Sequence, residues 1–119
     1  MMASIVTGGL ARSQTFELSG PIAEASLAGL TLDVAFIGVD GVDAKAGCTT
    51  HEEVEAHTNQ VMIRHAQRAV LVADSSKIGK VTFARICPTR DVDELITDRA
   101  ADPAAVRALT EAGVQVTLV

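Results

Sequence analysis

Short apolar runs alternate with stretches of helical periodicity along the chain. Apolar runs of four to six residues are typical of strands, whereas apolar residues three and four positions apart indicate helices. We predict strands over residues 4–7, 15–18, 34–37, 70–73, 81–86, 94–97 and 114–119, and helices over residues 22–30, about 52–68 and 103–112. Because strands separated by helices form βαβ units, this pattern predicts an α/β fold with a mostly parallel sheet.

Capping signals set the expected ends of these helices. We expect Thr50 to cap the middle helix, whose acidic start and basic end suit the helix dipole. Asp102 followed by Pro103 marks the start of the last helix. The run at 34–37 is apolar throughout, which is typical of a strand covered on both faces of its sheet. A polar loop is expected between residue 41 and the middle helix.

Length and composition place the chain among ordinary globular domains. Its 119 residues, of which 48% are hydrophobic and 21% charged, suffice for one domain but not for two. No run approaches the roughly 20 apolar residues that a membrane span needs, and the N-terminus lacks the pattern of a signal peptide. Cys48 and Cys87 form neither a CxxC pair nor a disulfide framework, so reduced thiols and a cytoplasmic location fit best.

The charge balance argues against a nucleic-acid-binding chain. The net charge is −5, with 10 basic against 15 acidic residues, and the basic residues are scattered rather than gathered on one face. Aromatic residues amount to 3% of the chain, which argues against a base-stacking platform. We therefore predict no direct nucleic acid contact and no membrane association by this chain.

Polar residues and glycines follow four of the predicted strands. Ligands of open α/β sheets bind beyond the carboxyl ends of the strands, so in a parallel sheet these groups would gather along one rim. Carboxylates accept hydrogen bonds from hydroxyls, glycine lets backbone N–H groups approach an anion, and lysine supplies a positive charge. The set suits a small polyol that carries a phosphate. The four segments are Thr7-Gly8-Gly9, Gly38-Val39-Asp40-Gly41, Asp74-Ser75-Ser76-Lys77 and Thr97-Asp98.

Each of these residues also has an ordinary structural explanation. Glycine and aspartate are frequent in any loop. Asp74 would cap a short turn through Ser75 and Ser76, and Lys77 would be a solvated loop lysine. Taken together, the four segments favour a ligand rim over turn chemistry, with Lys77 as the sharpest single candidate.

Metal and nucleophilic sites find little support in the sequence. The candidate metal ligands show no closed four-ligand spacing, and Cys48 lies outside the predicted helix. No Ser-His-Asp order stands out from the background. We therefore expect no metal and no cofactor. The metal candidates are Cys48, His51, Glu55 and His57.

Three stretches, taken in order, resemble the effector-sensing domain of DeoR-type bacterial transcriptional repressors. They are FIGVDGVDAKAGCTT, VMIRHAQRAVLVADSSKIGK and VDELITD. IVTGGL, followed by a strand and Gly20, also resembles the middle of that domain. The resemblance runs from about Ile5 to Val119, and the joint order and spacing of the stretches make it specific.

The resemblance implies a fold related to ribose-5-phosphate isomerase, glucosamine-6-phosphate deaminase and CoA transferases. It implies a sensor for a phosphorylated sugar or a related metabolite, not an enzyme, and hence no catalytic residues. Carried over to this chain, the effector-binding residues are Gly8, Gly9, Asp40, Gly41, Asp74 and Lys77.

Two parts of the family pattern have no counterpart in this chain. Members usually begin with a winged helix-turn-helix, and the first part of their sensor domain carries a Gly/Ser-Thr-Thr phosphate loop and a Thr-Asn strand end. We therefore expect residues 1–119 to form a partial sensor domain that is incomplete at its N-terminus. Uncovered sheet edges or faces favour self-association, so we also expect a homo-oligomer.

Two other functions stay open from the sequence. A sugar-phosphate isomerase or deaminase needs a general base near C1 and C2 of its substrate, and Asp40 or Asp74 would serve. A ligand-free oligomerisation remnant would explain the absent phosphate loop. The sensor remains the favoured hypothesis, because kinship of fold does not by itself imply enzymatic activity.

Overall fold

The computed structural model of the protein describes residues 9–11 and 18–119. The strand predicted at 4–7, and all but the last residue of that predicted at 15–18, fall outside the described residues. The helices are α1 (Pro21–Leu27), α2 (Glu53–Arg64) and α3 (Pro103–Glu111), with 3₁₀ turns at Ser75–Lys77 and Thr89–Asp91. The strands are β1 (Leu10–Ala11), β2 (Leu18–Ser19), β3 (Leu32–Gly38), β4 (Gly41–Asp43), β5 (Gly47–Thr50), β6 (Ala66–Val72), β7 (Ala84–Cys87), β8 (Glu94–Thr97) and β9 (Gln115–Leu118).

Four strands form a parallel sheet in the order β3-β6-β8-β9. Val, Ile and Leu recur in these strands because branched apolar side chains pack well on a pleated surface. Gly38 pairs with Val72 in the register of β3 and β6, so these two strands end side by side. The predicted α/β fold with a mostly parallel sheet is confirmed.

One face of the parallel sheet carries the hydrophobic core. Successive side chains of a strand point to opposite faces, so alternate residues of each strand belong to this face. Ala56 of α2 and Leu109 of α3 pack in the same core cluster, which places both crossover helices on this side. The core face presents Ala35, Ile37, Leu71 and Leu95, all buried.

The opposite face of the sheet is exposed along β3 and at the end of β6, whereas Val70 beside Phe36 is buried. We call this face the bare face. Phe36 exposes 65% of its surface, Val72 exposes 48% and Val34 exposes 40%. The expectation that the run at 34–37 is covered on both faces is therefore wrong for the described part of the chain. In the run at 34–37, Ala35 and Ile37 are buried on the core face, whereas Val34 and Phe36 are exposed on the other face. The second face is exposed because α2 and α3 both pack on the core side.

A second sheet, antiparallel in the order β4-β5-β7, lies where the sequence predicted a polar loop. That expectation is wrong because β4 and β5 form a hairpin. The Asp43 carboxylate accepts hydrogen bonds from the N–H groups of Lys45 and Ala46, and Gly47 follows with a φ of 87°. A glycine at positive φ is the usual end of a short hairpin loop. The strand predicted at 81–86 is β7, which starts later and belongs to this second sheet.

Helix α2 is shorter than the sequence predicted. Glu52 is its N-cap, and the Glu52 carboxylate accepts hydrogen bonds from two N–H groups of the first turn at 2.8 and 3.0 Å. Thr50 lies in β5, so the expectation that Thr50 caps the helix is wrong. The helix ends at Arg64 because Ala66 already pairs with Leu32 in the parallel sheet. Strand pairing thus overrides the helical periodicity that continues to residue 69.

The two cysteines, far apart in sequence, face each other across β5 and β7. Cys48 and Cys87 are both buried free thiols. The hydrogen bond between the thiols raises the pKa of Cys48 above its ordinary value, and burial adds to this effect. Cys48 therefore stays protonated at neutral pH, which is typical of a structural thiol in a core.

Candidate functional site

A cavity of about 330 Å³ opens at the carboxyl ends of β3 and β6. Small-molecule sites usually occupy roughly 300–1,000 Å³. The cavity therefore has room for a small metabolite, and it lies where open α/β sheets bind their ligands. We call it the rim cavity. Its lining consists of Gly38, Val39, Asp40, Thr50, Glu55, Asn59, Val72, Ala73, Asp74 and Lys77.

Asp40 lies two residues beyond β3 and is held in place by β5. Its backbone N–H donates to the Thr49 carbonyl at 3.0 Å. Its Oδ2 accepts hydrogen bonds from the Thr50 hydroxyl at 2.7 Å and from the His51 N–H at 3.3 Å. These bonds fix the direction of the carboxylate, and its Oδ1 accepts no hydrogen bond from the residues that the structure describes. This oxygen is suited to accept a ligand hydroxyl.

Asp74 and Lys77 follow β6 on the 3₁₀ turn that begins at Ser75. Asp74 caps this turn, since its Oδ1 accepts hydrogen bonds from the N–H of Ser76 at 2.8 Å and from the Ser76 hydroxyl. The Ser76 hydroxyl and N–H lower the pKa of Asp74, and the nearby Lys77 charge contributes less. Lys77 is half-buried, and its ammonium forms no ion pair with any described residue. The Asp74 side chain is thus both a cap and part of the cavity lining.

Asp98 follows β8, and its carboxylate has a structural role. It is absent from the described lining of the rim cavity. Its Oδ1 accepts the N–H of Ser75 at 2.6 Å, and its Oδ2 accepts the N–H of Ala100 at 3.1 Å. Hydrogen bonds from Ser75 lower the pKa of Asp98 more than any other interaction does. Asp98 therefore anchors the start of the turn that presents Asp74 and Lys77.

Two of the predicted effector-binding glycines, Gly9 and Gly41, lie outside the described cavity lining. Gly9 packs against Ser19, whose carbonyl oxygen would be 2.7 Å from a Cβ at position 9. Gly41 is buried in β4, and a Cβ there would come within 2.6 Å of the Thr49 hydroxyl and closer still to the Lys80 carbonyl. Gly8 falls outside the described residues. Both described glycines thus have a clear packing role, and their predicted contact with ligand stays a prediction.

Three side chains of the cavity lining were missed as ligand-binding candidates. The sequence pattern predicts Thr50 as a helix cap and offers Glu55 as a metal ligand, and it gives no motif that marks Asn59. The signal for two of them lies in helical spacing, because Glu55 and Asn59 are four residues apart and share one side of α2. Glu55 is buried, and a buried charged residue on a helix is more informative than an apolar one.

A second cavity, of about 220 Å³, lies beside the rim cavity. It shares Gly38, Glu55 and Asn59 with the rim cavity. Its other described walls are mixed: Leu18, Phe36 and Met62 are apolar, and Ser19 and Thr58 carry hydroxyls. Ile37 also belongs to the described lining. We call this space the side cavity.

The residues weighed as metal ligands are dispersed in the structure. Cys48 faces Cys87, His57 pairs with Glu24 at 2.8 Å, and Glu55 lines the two cavities. Within residues 9–11 and 18–119, no three His, Cys, Asp or Glu side chains are placed to hold a metal ion. In the same residues, no helix has the length and apolar character needed to cross a membrane.

A parallel sheet with a cavity at its carboxyl edge, lined by carboxylates and a lysine, is typical of α/β domains that bind small molecules. Comparison with protein families makes this class specific: residues 2–99 match the family model of the DeoR C-terminal sensor domain. The chain belongs to this family, and its fold agrees with that of the sensor domain. A sensor domain is a regulatory unit, so the prediction that the chain is not an enzyme is confirmed.

Curated relatives carry the same domain within longer proteins. The putative aga operon transcriptional repressor of Escherichia coli O157:H7 is 37% identical over 97% of this chain and 43% of its own length. The HTH-type transcriptional regulator GlpR of Haloferax volcanii is 36% identical over 93% of this chain and 44% of its own length. The regulator YulB of Bacillus subtilis is 37% identical over 97% of this chain and 45% of its own length. The chain thus spans less than half the length of these relatives.

Proposed function

We propose that this chain is the effector-sensing module of a transcriptional regulator and binds a phosphorylated sugar, or a related metabolite, in the rim cavity. The observation that carries the proposal is the meeting of Asp40, Asp74 and Lys77 around one cavity at the ends of two parallel strands. Carboxylates bind sugar hydroxyls as hydrogen-bond acceptors, and an ammonium binds phosphate as a point charge.

The charges of the lining determine how such a ligand would lie. Lys77 is the one cationic side chain in the described lining, whereas Asp40, Glu55 and Asp74 are acidic. A phosphate is repelled by carboxylates and attracted by the ammonium, so the phosphate belongs at the Lys77 end. The N–H groups of Ser75 and Ser76 already donate to Asp98 and Asp74, which leaves the Lys77 side chain as the main anion-binding group of the turn. The sugar hydroxyls then face the carboxylates.

The names of two relatives support a sugar-related effector. One is the putative aga operon repressor named above, and another is the lactose phosphotransferase system repressor of Staphylococcus epidermidis. The latter is 33% identical over 76% of this chain and 36% of its own length. Such names describe those proteins, and they make a sugar or sugar phosphate the first class of compound to test here.

The regulatory step would be a shift of population between two conformations. An effector that binds one conformation more tightly biases the protein towards it, and a DNA-binding partner segment would read out this change. A net charge of −5 without a basic face supports the proposal that this chain makes no direct contact with DNA. The same composition and the family together support a cytoplasmic location.

We also infer that the protein forms a homo-oligomer through the bare face. Phe36, Val72 and Val34 present an apolar strip there, and β3 is an edge strand of the described sheet. All-parallel sheets are normally covered on both faces, so this strip favours association with a second copy.

A thermal titration tests the effector proposal. The melting temperature of the 119-residue chain is measured with a panel of sugar phosphates, for the wild type, Lys77→Ala and Lys80→Ala. Lys80 is exposed and absent from the cavity lining, so it is the matched control. At a hundredfold excess over Kd, a ligand stabilises the folded state by about 2.7 kcal/mol. We expect at least one sugar phosphate to raise the melting temperature of the wild type and of Lys80→Ala, but not of Lys77→Ala.

Two outcomes would contradict this proposal. A shift that survives Lys77→Ala would remove the assigned phosphate contact. A cooperative transition that no sugar phosphate moves would mean that this chain has the sensor fold without binding this class of effector.

A further inference from the structure

The second sheet brings the two cysteines of the chain together. Cys48 of β5 and Cys87 of β7 are opposite each other in the strand register, and both side chains are buried. Paired residues of antiparallel strands project from the same face of their sheet, so the two sulfur atoms are neighbours. The thiols are free and hydrogen-bonded to each other. The sequence contains no third cysteine that would compete for either of them.

The backbones of β5 and β7 approach each other closely beside this pair. Gly47 precedes Cys48 with a φ of 87°, and a Cβ at position 47 would collide with the Cys87 carbonyl. Ile86 is the extra residue of a β-bulge in this strand pair, and a bulge bends its strand locally. Opposite Cβ atoms are usually about 4.5–5.5 Å apart, and a disulfide needs about 3.5–4.5 Å. A small displacement of one strand is therefore enough to join the two sulfurs.

The two thiols differ in acidity. The hydrogen bond from the Cys48 thiol lowers the pKa of Cys87, although burial acts in the opposite direction. The same hydrogen bond raises the pKa of Cys48, and burial adds to this effect. The first proton to leave the pair is therefore that of Cys87. Because the thiolate is the reactive form of cysteine, Cys87 is the nucleophile of the pair and Cys48 is the resolving thiol.

We propose that Cys48 and Cys87 form a reversible disulfide with hydrogen peroxide as the oxidant, and that this bond displaces the strand that holds Asp40. The Cys87 thiolate attacks one peroxide oxygen, so that an S–O bond forms, the O–O bond breaks and the hydroxide that leaves is protonated to water. The Cys48 sulfur gives up its proton, attacks the Cys87 sulfur and displaces the oxygen of the sulfenic acid as a second water. The two thiols lose two electrons and two protons, and the peroxide is reduced to water.

The position of the pair explains which oxidant it would take. In the described part of the second sheet β7 is an edge strand, and β5 and β7 have four residues each. Short strands at a sheet edge open locally at a lower free-energy cost than the centre of a core. A small opening admits hydrogen peroxide, which is little larger than water. A bulky disulfide such as oxidised glutathione is kept out by the burial of both thiols.

Strand β5 connects the thiol pair to the rim cavity. The Thr49 carbonyl accepts the N–H of Asp40 at 3.0 Å, and the Thr50 hydroxyl donates to Asp40 Oδ2 at 2.7 Å. The Thr49 hydroxyl also accepts the N–H of Thr82 at 2.9 Å. Because these anchors follow Cys48 directly in β5, a displacement of Cys48 towards β7 changes the position of the Asp40 carboxylate.

Peptide mapping of the oxidised chain tests the disulfide. The wild type is treated with a small excess of hydrogen peroxide, the remaining thiols are alkylated, and the protein is digested with trypsin without a reductant. We expect peptides 46–64 and 86–90 to appear as one linked species, and as two peptides after dithiothreitol. Thiols that stay free, thiols oxidised separately to sulfinic acid, or a disulfide between two copies on a non-reducing gel would overturn the proposal.

Single substitutions test the roles of the two thiols. Cys48→Ala keeps the nucleophile without the resolving thiol, so peroxide should leave a sulfenic acid on Cys87 that dimedone labels. In Cys87→Ala the remaining thiol should react roughly tenfold more slowly or less, because it stays protonated. Equal rates in the two variants would mean that the roles are wrongly assigned. Cys48→Ser and Cys87→Ser replace the alanine variants if these melt at a lower temperature than the wild type.

Amide NMR spectra of the reduced and oxidised wild type test the link to Asp40. The amide signals of Asp40, His51 and Thr82 should shift on oxidation and return after dithiothreitol, since these N–H groups bond to β5 or to Asp40. Gln115 lies in β9, outside the second sheet, so its signal is the control and should stay. A disulfide that leaves the Asp40 signal unmoved would overturn the link to the rim cavity. No effector is added, so every outcome is independent of the proposed function.

Discussion

The two faces of the parallel sheet are built from the same strands and have opposite surroundings. On the core face, Ile37 and Leu71 are buried and pack among residues of α2, α3 and the second sheet. On the bare face, the adjacent residues Phe36 and Val72 are about half exposed or more. Both faces carry large apolar side chains on β3 and β6, so apolar character alone does not separate them. Their difference comes from the connections between the strands.

Strand order explains why the connections gather on one side. The sheet order β3-β6-β8-β9 follows the order of the chain, so every crossover runs in the same direction. Crossovers between parallel strands are almost always right-handed. Right-handed connections that all advance in one direction must lie on one face. Apolar residues on a strand indicate that helices could pack on either face of its sheet. The direction and handedness of the crossover connections determine which face the helices cover.

The largest contrast between the faces is expected for neighbouring residues of β6. Leu71 is fully buried, so Leu71→Ala should lower the free energy of unfolding by about 2–5 kcal/mol. Val72→Ala on the bare face should change it by about 0.5 kcal/mol or less. Urea unfolding of both variants measures this contrast. Equal losses would mean that the bare face is covered in solution.

A second contrast compares two glycines that differ in the space around them. Gly41→Ala should destabilise the protein by about 1–3 kcal/mol, because the new Cβ collides with the Thr49 hydroxyl and the Lys80 carbonyl. Gly38→Ala should leave stability unchanged or slightly raised, since alanine reduces the freedom of the unfolded chain. The melting temperatures of the two variants, each compared with that of the wild type, measure this difference in stability. A stable Gly41→Ala protein would contradict the packing role assigned to this glycine.

A third experiment asks whether the bare face holds copies together. Val34→Glu places a carboxylate on that face, opposite Arg68 in the strand register, and Val34 lines neither cavity. The variant should keep its fold and its ligand binding but sediment as a smaller species than the wild type. Sedimentation velocity over a range of concentrations provides the measurement. An unchanged sedimentation coefficient in an associating protein would place the interface elsewhere.

The smallest effect is expected from the polar end of the bare face. The Glu94 carboxylate accepts the Thr117 hydroxyl at 2.7 Å and an Arg68 N–H at 2.9 Å, and these bonds lower the pKa of Glu94 below its ordinary 4.5. A depressed pKa stabilises the fold above pH 4.5, and this contribution is lost as pH falls through the lowered value. Glu94→Gln should therefore lose less melting temperature than the wild type between pH 7 and pH 3. An equal fall in melting temperature for the variant and the wild type would contradict the stabilising role of the Glu94 carboxylate.

Local sequence patterns predicted the parallel half of the fold well. The strands near residues 34–37, 70–73, 94–97 and 114–119 and the last helix all exist, because each is set by its own apolar run and caps. The β4–β5 hairpin was missed because its buried strand β5 depends on pairing with β7, more than thirty residues away. The end of α2 was misplaced for the same reason, since pairing with β3 is not visible in the helical pattern.

The candidate site was partly predictable from the sequence. Asp40, Asp74 and Lys77 follow the apolar cores of their strands, so position along the chain was enough to place them at the rim. Glu55 and Asn59 come from a helix, and their direction depends on how α2 packs beside β3. The sequence also does not distinguish a glycine that lines a cavity, such as Gly38, from one that packs against backbone, such as Gly41.

The sequential order of the strands also has a consequence for biosynthesis. At roughly 5–20 residues per second, a ribosome completes β3 about 4–16 s before β9. Each later strand of the parallel sheet docks on an edge that is already present, so no strand has to be inserted between two others. The sheet is therefore suited to assembly while the chain is still being made. During that interval Phe36 and Val34 are available to chaperones or to a neighbouring nascent chain, and the first partner that a new copy meets can be another copy on the same polysome.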